Sequence, residues 1–183
     1  MSMVLSAQGA EEASVTPAQE QGSWWFELGM GEALLHSDSG SGSGSTLNLG
    51  LGYSNEPWGL GLEFGVVGNR DGCDLGACEK FAPAVSHDLV LAEYTVKNSA
   101  WRLRFGVGTF DYCTSAWLYA CDSVTGPGVG LYATRHWHMT KRAVWSVGVR
   151  VGGELAHFSA KQSLDAPAFW HSAVSLSVQL RRR

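Results

Sequence analysis

From Trp24 the chain alternates with a period of two, placing Trp24, Phe26, Leu28 and Met30 on one side and Trp25, Glu27, Gly29 and Gly31 on the other. This is the period of an extended strand, whose successive side chains point to opposite faces. The alternation returns at Leu47, Leu49, Leu51 and Tyr53, and again at Trp58, Leu60, Leu62, Phe64 and Val66, interleaved with Gly, Thr, Asn or Glu. A fourth strand carries Val90, Ala92, Tyr94 and Val96 opposite Glu93 and Thr95; a fifth carries Trp101, Leu103, Phe105 and Val107 opposite Arg102, Arg104, Gly106 and Gly108. In the sixth, Val129, Leu131, Ala133 and Trp137 share their face with Arg135, which must snorkel to an interface or mark a bulge. The seventh sets Trp145, Val147, Val149, Val151 and Leu155 against Ser146, Gly148, Arg150, Gly152 and Glu154. The eighth sets Val174, Leu176, Val178 and Leu180 against Ala173, Ser175, Ser177 and Gln179.

The connections add a second pattern. Ser54-Asn55-Glu56-Pro57, Lys97-Asn98-Ser99-Ala100 and Met139-Thr140-Lys141-Arg142 are short polar turns, whereas the other connections are long, rich in Gly or Ser, or contain Cys. Short and long therefore alternate, as in outer-membrane barrels, whose short turns face the periplasm. The expected fold is all-β, an eight-stranded antiparallel up-and-down transmembrane β-barrel over residues 23–183. Both termini are expected in the periplasm. Residues 1–22 are expected to be a disordered lead-in, its Ser6-Ala7-Gln8-Gly9-Ala10 resembling the end of a secretory signal.

Aromatic placement supports a membrane. Trp24, Tyr53, Trp58, Tyr94, Trp101, Trp137 and Trp145 all fall on the apolar face beside the short turns, the level at which Trp and Tyr form a girdle at a bilayer surface. A soluble barrel of the lipocalin type would use the same period with its apolar face inward. The glycines argue otherwise, because Gly29, Gly50, Gly52, Gly61, Gly65, Gly106, Gly130, Gly148 and Gly152 lie on the polar face. In a narrow lumen they make room for long neighbours, whereas on a solvated exterior they only weaken strands. Glu27, Glu63, Glu93, Arg102, Arg104, Arg150 and Glu154 share that face. Buried charges require partners, so a lumen plugged by carboxylate–guanidinium pairs is expected rather than an open pore.

Composition is consistent with this picture. Charged residues make up 16% of the chain and hydrophobic ones 45%, with 23 Gly and 8 Trp, few charges and many aromatics for a soluble domain. The net charge is −4 and the 13 Lys and Arg are scattered, so nucleic acid is not an expected partner. No apolar run reaches the roughly 18 residues of a membrane-spanning helix.

Cys73 and Cys78 fall in one long connection, Cys113 and Cys121 in the next. Of the three possible pairings, the two loop-local disulfides are favoured, since an oxidising periplasm supports them. Zinc is the alternative, without His or Cys at finger-like spacing. His136 and His138 lack an evident third ligand and read as lumen filling, so neither metal nor cofactor is expected. The GxGxxG-like fragments are strand glycines without a following helix.

His157-Phe158-Ser159 has a sharper reading, because parity points His157 and Ser159 outward at the far end of the seventh strand. An imidazole beside a serine is a nucleophile–base pair. Residues 146–180 resemble the end of the PagL family of lipid A deacylases, eight-stranded barrels with a His-aromatic-Ser step and a downstream Glu. The resemblance implies His157 as base and Ser159 as nucleophile, with the orienting acid at the position of His171. A histidine there supplies no negative charge, Ala160 stands where that family has Asn, and Asp165 substitutes only if its loop folds back. More broadly, residues 23–180 resemble the small outer-membrane proteins of the OmpA transmembrane-domain, OmpX and opacity-protein kind. Such proteins usually end in an aromatic residue, whereas here Leu180 runs into Arg181, Arg182 and Arg183. That resemblance implies a non-catalytic surface protein displaying disulfide-braced extracellular loops, for adhesion, envelope packing or partner docking. Its expected partners are outer-membrane lipid, lipopolysaccharide, the barrel-assembly machinery and a protein at the loops. The lipid A hydrolase is the second reading.

Overall fold

The computed structural model describes residues 22–37, 40–69, 84–113, 123–138, 144–159 and 168–182. Eight strands hold nearly all of them: β1 (Ser23–Ser37), β2 (Gly40–Asn55), β3 (Trp58–Asn69), β4 (Ala84–Thr95), β5 (Trp101–Cys113), β6 (Ser123–His138), β7 (Trp145–Phe158) and β8 (Phe169–Arg182). Each pairs antiparallel with the next, and β1 pairs with β8, so the sheet closes into an up-and-down barrel. Closure removes the sheet edge, leaving the wall's backbone groups partnered by neighbouring strands, as hydrocarbon requires. Among the described residues there is no helix.

Inside and outside are reversed relative to a soluble protein. Met30, Leu60 and Val178 are 63, 67 and 58% exposed, whereas Glu27, Glu63 and Arg104 are 0, 0 and 2% exposed. The outward rows are those of the hydrophobic alternation, and its partner rows point to the axis.

The strands are longer than their apolar rows. At about 3.4 Å per residue, 12 to 16 residues span roughly 40–55 Å, more than a tilted strand needs to cross an apolar band of about 25 Å. The excess lies away from the short turns. The connection between β1 and β2 corrects the expectation of a long Gly/Ser loop: Ser37 pairs with Gly40, and only two residues intervene. The Ser-Gly repeat keeps the strand period, with Ser41, Ser43 and Ser45 on the outer face and Gly44 buried. Likewise β6 begins at Ser123 and β8 at Phe169, earlier than the apolar rows indicate.

At the short-turn end, the β2–β3 turn contains a cis Glu56–Pro57 bond, and the β4–β5 turn places Asn98 at φ 56°, a left-handed conformation that Asn tolerates. The backbone N–H of Thr95 donates to Pro57 O at 2.7 Å, tying the two turns together, and that of Val96 donates to Trp101 O at 3.0 Å across the β4–β5 turn. No bulge interrupts β6 at Arg135, which pairs in register with Trp101 and Val149.

Candidate functional site

The lumen is filled in layers. Nearest the short turns, Arg104 donates Nη1 and Nη2 to the two oxygens of Glu27 at 2.5 and 2.7 Å, and Nε to Glu93 at 2.9 Å. From the opposite wall Arg181 donates to both oxygens of Glu93, at 2.5 and 2.8 Å. Ser54 donates to Glu93 at 3.1 Å, and Arg102 Nε lies 3.6 Å from the same carboxylate. Bidentate forks of this kind are the geometry that best compensates for burying the charges. Between Arg104 and Arg181 lies the Trp25 indole, 5.0 and 4.4 Å from their guanidinium carbons. Its volume explains two glycines, since a Cβ at Gly50 or Gly61 would come within 3.1 or 2.6 Å of the ring.

The next layer is built on Arg150, which binds Glu63 through both Nη atoms at 2.6 Å and lies 3.5 Å over the Tyr132 ring. The Tyr132 hydroxyl donates to Glu154 at 2.8 Å. His87 stands between the two carboxylates, with Nε2 3.4 Å from Glu63 and Nδ1 3.4 Å from Glu154. Gln179 joins Asn48 and Ser177 alongside. A void in this layer measures about 10 Å³, at the lower limit for one water.

Farther from the short turns the interior becomes apolar. Val85, Leu89, Phe110, Val124, Ala156 and Phe158 are buried, with Tyr112 and Phe169 packed against them. Phe158 and Phe169 stack at 4.9 Å, and Tyr112 meets Phe169 edge-on at 5.0 Å. This differs from a lumen filled by ions and glycines throughout. At this level the barrel fills its interior as a soluble core does.

The structure brings all seven sequence-predicted lumen charges, Glu27, Glu63, Glu93, Arg102, Arg104, Arg150 and Glu154, into these layers. Sequence reasoning missed Arg181 and His87, and it placed Trp25 and Tyr132 on the inner face without giving them a role. Arg181 had a usable signal, because it continues the inward parity of Ser177 and Gln179.

The predicted girdle residues lie at the short-turn ends of their strands. Trp24 packs on Tyr53 at 5.5 Å between ring centroids, and Trp58 on Tyr94 at 4.8 Å. The Arg135 guanidinium lies between Trp101 and Trp137, at 5.9 and 5.4 Å, and that of Arg182 over Trp145 at 5.7 Å. Arg135 therefore snorkels within the aromatic row.

His157 and Ser159 sit on the outer side of β7, Ser159 exposed and just beyond the strand. No hydrogen bond joins them among the described residues, and His157 instead packs on Trp170 at 4.7 Å. His171, placed by the PagL resemblance at the acid position, is 3% exposed and faces the lumen beside Tyr112 and Phe158. The barrel wall thus separates it from the His157 and Ser159 side chains, which corrects its assignment to one constellation with them. Asp165, Cys73, Cys78, Cys121 and the Cys113 side chain lie outside the described residues.

With the layers and the outer face defined, the fold can be compared with solved structures. In fold the chain is similar to Neisserial surface protein A. The two overlay with a TM-score of 0.62 at 14% identity, over 89% of this chain and 99% of that one. The attachment invasion locus protein Ail of Yersinia pestis, solved with the heparin analogue sucrose octasulfate, overlays at 0.49 with 12% identity over 88% of this chain and 99% of its own. OprG of Pseudomonas aeruginosa, an outer membrane protein, overlays at 0.39 with 12% identity, covering 86% and 95%. No family model matches the chain, and no curated protein matches its sequence. The chain has the fold of the small eight-stranded outer-membrane barrels that its strand pattern resembles.

Proposed function

We propose that the protein is a bacterial outer-membrane barrel without an open pore, a rigid, non-catalytic surface scaffold for adhesion, envelope packing or partner docking. The observation that carries this reading is the sealed lumen behind a lipid-compatible exterior. Ionic layers with bidentate pairs and an aromatic layer occupy the axis in series, and the outer wall is apolar above an aromatic girdle. Such a barrel transports little and holds its connections rigidly. In this proposal the short turns and both chain ends are periplasmic, the long connections face outward, and loop-local disulfides Cys73–Cys78 and Cys113–Cys121 brace them. The surrounding partners are outer-membrane lipid and lipopolysaccharide, with assembly machinery acting during insertion.

The geometry weighs against a lipid A hydrolase. A serine nucleophile needs a base within hydrogen-bond reach and a group steadying the imidazolium. His157 is engaged with Trp170, and the position expected to hold the acid is a histidine facing the lumen. Incubating the folded protein in detergent with lipopolysaccharide is expected to leave every acyl chain in place by mass spectrometry. Loss of an acyl chain by the protein, abolished in Ser159→Ala, would overturn the non-catalytic reading.

A further inference from the structure

The outer wall is not evenly lined where β5, β6 and β7 meet. Ala133 pairs in register with Leu103 on one side and Val151 on the other, and Leu131 stands next to it on the same face of β6. The short side chain of Ala133 leaves a depression of about 370 Å³ among these three larger neighbours. Leu103, Leu131 and Val151 are 48, 61 and 47% exposed, so its rim is apolar and faces outward. Apolar walls around a space of this size suit a hydrocarbon chain rather than an ion or a polar solute.

The next outward position of β6 toward the short turns is Arg135, roughly 7 Å along the strand from Ala133. Its guanidinium lies 5.9 and 5.4 Å from the ring centroids of Trp101 and Trp137, and it makes no hydrogen bond or ion pair among the described residues. No carboxylate stands beside it on these three strands. β6 carries none, the one on β5 is Asp111, at the opposite end of that strand and hydrogen-bonded by Thr125, and the one on β7 is Glu154, which faces the lumen. The two indoles hold the cation without neutralising it, which leaves its N–H groups for an external anion.

We propose that this stretch of wall is a binding site for one anionic phospholipid of the leaflet at the short-turn end, its phosphate on the Arg135 guanidinium and an acyl chain in the Ala133 depression. A planar guanidinium fork matches phosphate oxygens, and Trp rings stand at the level where headgroups begin. Cation and apolar space follow one another along β6 in the order in which a lipid presents phosphate and chain. The proposal rests on the outer-membrane reading above and adds to it a fixed place and a charge preference for one lipid.

The test uses the folded chain in uncharged detergent micelles with equal amounts of phosphatidylglycerol and phosphatidylcholine of the same acyl chains, and native mass spectrometry reads the lipid retained. One retained lipid is expected, phosphatidylglycerol over phosphatidylcholine by about tenfold, the scale for a hydrogen bond between charged groups. Arg135→Gln is expected to lower phosphatidylglycerol to the level of phosphatidylcholine, and Ala133→Leu to reduce both lipids. Arg182→Gln removes an outward guanidinium of the same girdle outside the depression and is expected to keep the preference. All three positions face outward, so the packing of the lumen is untouched, and a band that shifts on heating verifies that each variant is folded. Equal retention of the two lipids by the native chain, a preference that survives in Arg135→Gln or is lost equally in Arg182→Gln, or retention unchanged in Ala133→Leu would overturn the proposal. So would a dimer, in place of retained lipid, that Ala133→Leu dissociates, since the depression would then be a contact between copies. Insertion of the native chain into phosphatidylcholine vesicles separates the two readings. Failure to insert would sink the outer-membrane reading, whereas insertion without a lipid preference would sink this site alone.

Discussion

Gly65 and His87 face one another across the β3–β4 pair, and the three heavy atoms nearest a Cβ at Gly65 would all belong to the imidazole, at 2.2 to 3.0 Å. Displacing that ring pulls it from between Glu63 and Glu154, so Gly65→Ala is expected to cost roughly 1–3 kcal/mol, the range for overpacking a filled interior. In a His87→Ala background the atoms nearest the new methyl are gone, and the same substitution is expected to cost much less. Urea unfolding of the four proteins in a double-mutant cycle measures the coupling. Additive effects would mean that the glycine is not there for the histidine. At this scale the sequence was informative about direction and silent about partners. Parity alone placed Glu27, Glu93 and Arg104 on the inner face. That Arg104 would bridge Glu27 follows only from barrel closure, since the two residues lie 77 positions apart. Arg181 was misjudged because three consecutive arginines look like a break in an apolar pattern, although Arg181 is buried and Arg182 exposed.

Elements were the most legible level, wherever hydrophobic contrast was strong. The outward rows of β3, β5 and β7 alternate bulky apolar with small or charged residues, and their placement follows directly from the period. The far half of β2 was missed because Ser alternating with Gly retains the period of two but has almost no contrast. The two faces of β1 give this level its own prediction. Trp24 is 71% exposed on the outer wall and Trp25 3% exposed in the lumen, although they are adjacent in sequence. Proteins in which Trp25 or Trp24 is the sole tryptophan are to be reconstituted in bilayers containing brominated lipid. Strong quenching is expected for Trp24 and little for Trp25, because the bromine reaches only the wall. Similar quenching of both would mean that β1 has its faces reversed or that the barrel is not in the bilayer.

For the whole molecule the question is what blocks the axis, and two different fillings occupy it in series. The ionic layers stand within the apolar band, where their pairs are held by the wall of hydrocarbon-facing strands. The aromatic layer of Phe110, Phe158, Tyr112 and Phe169 closes the end away from the short turns. Closure in series predicts that removing either filling alone does not open a pore. Planar-bilayer recordings of the native barrel are expected to show no large steady conductance. The Phe110→Ala, Phe158→Ala double variant, from which two fully buried rings are missing, is expected to remain closed although destabilised. Single Phe→Ala changes in packed interiors cost about 3–5 kcal/mol, so its urea midpoint should fall well below that of the native protein. Silence together with a lowered midpoint is the signature of an aromatic layer that stabilises without gating, because Arg104, Arg150 and Arg181 still bridge the bore. A steady open channel in the native protein would show the ionic layers to be permeable, and one in the double variant alone would place the only seal at the aromatic end.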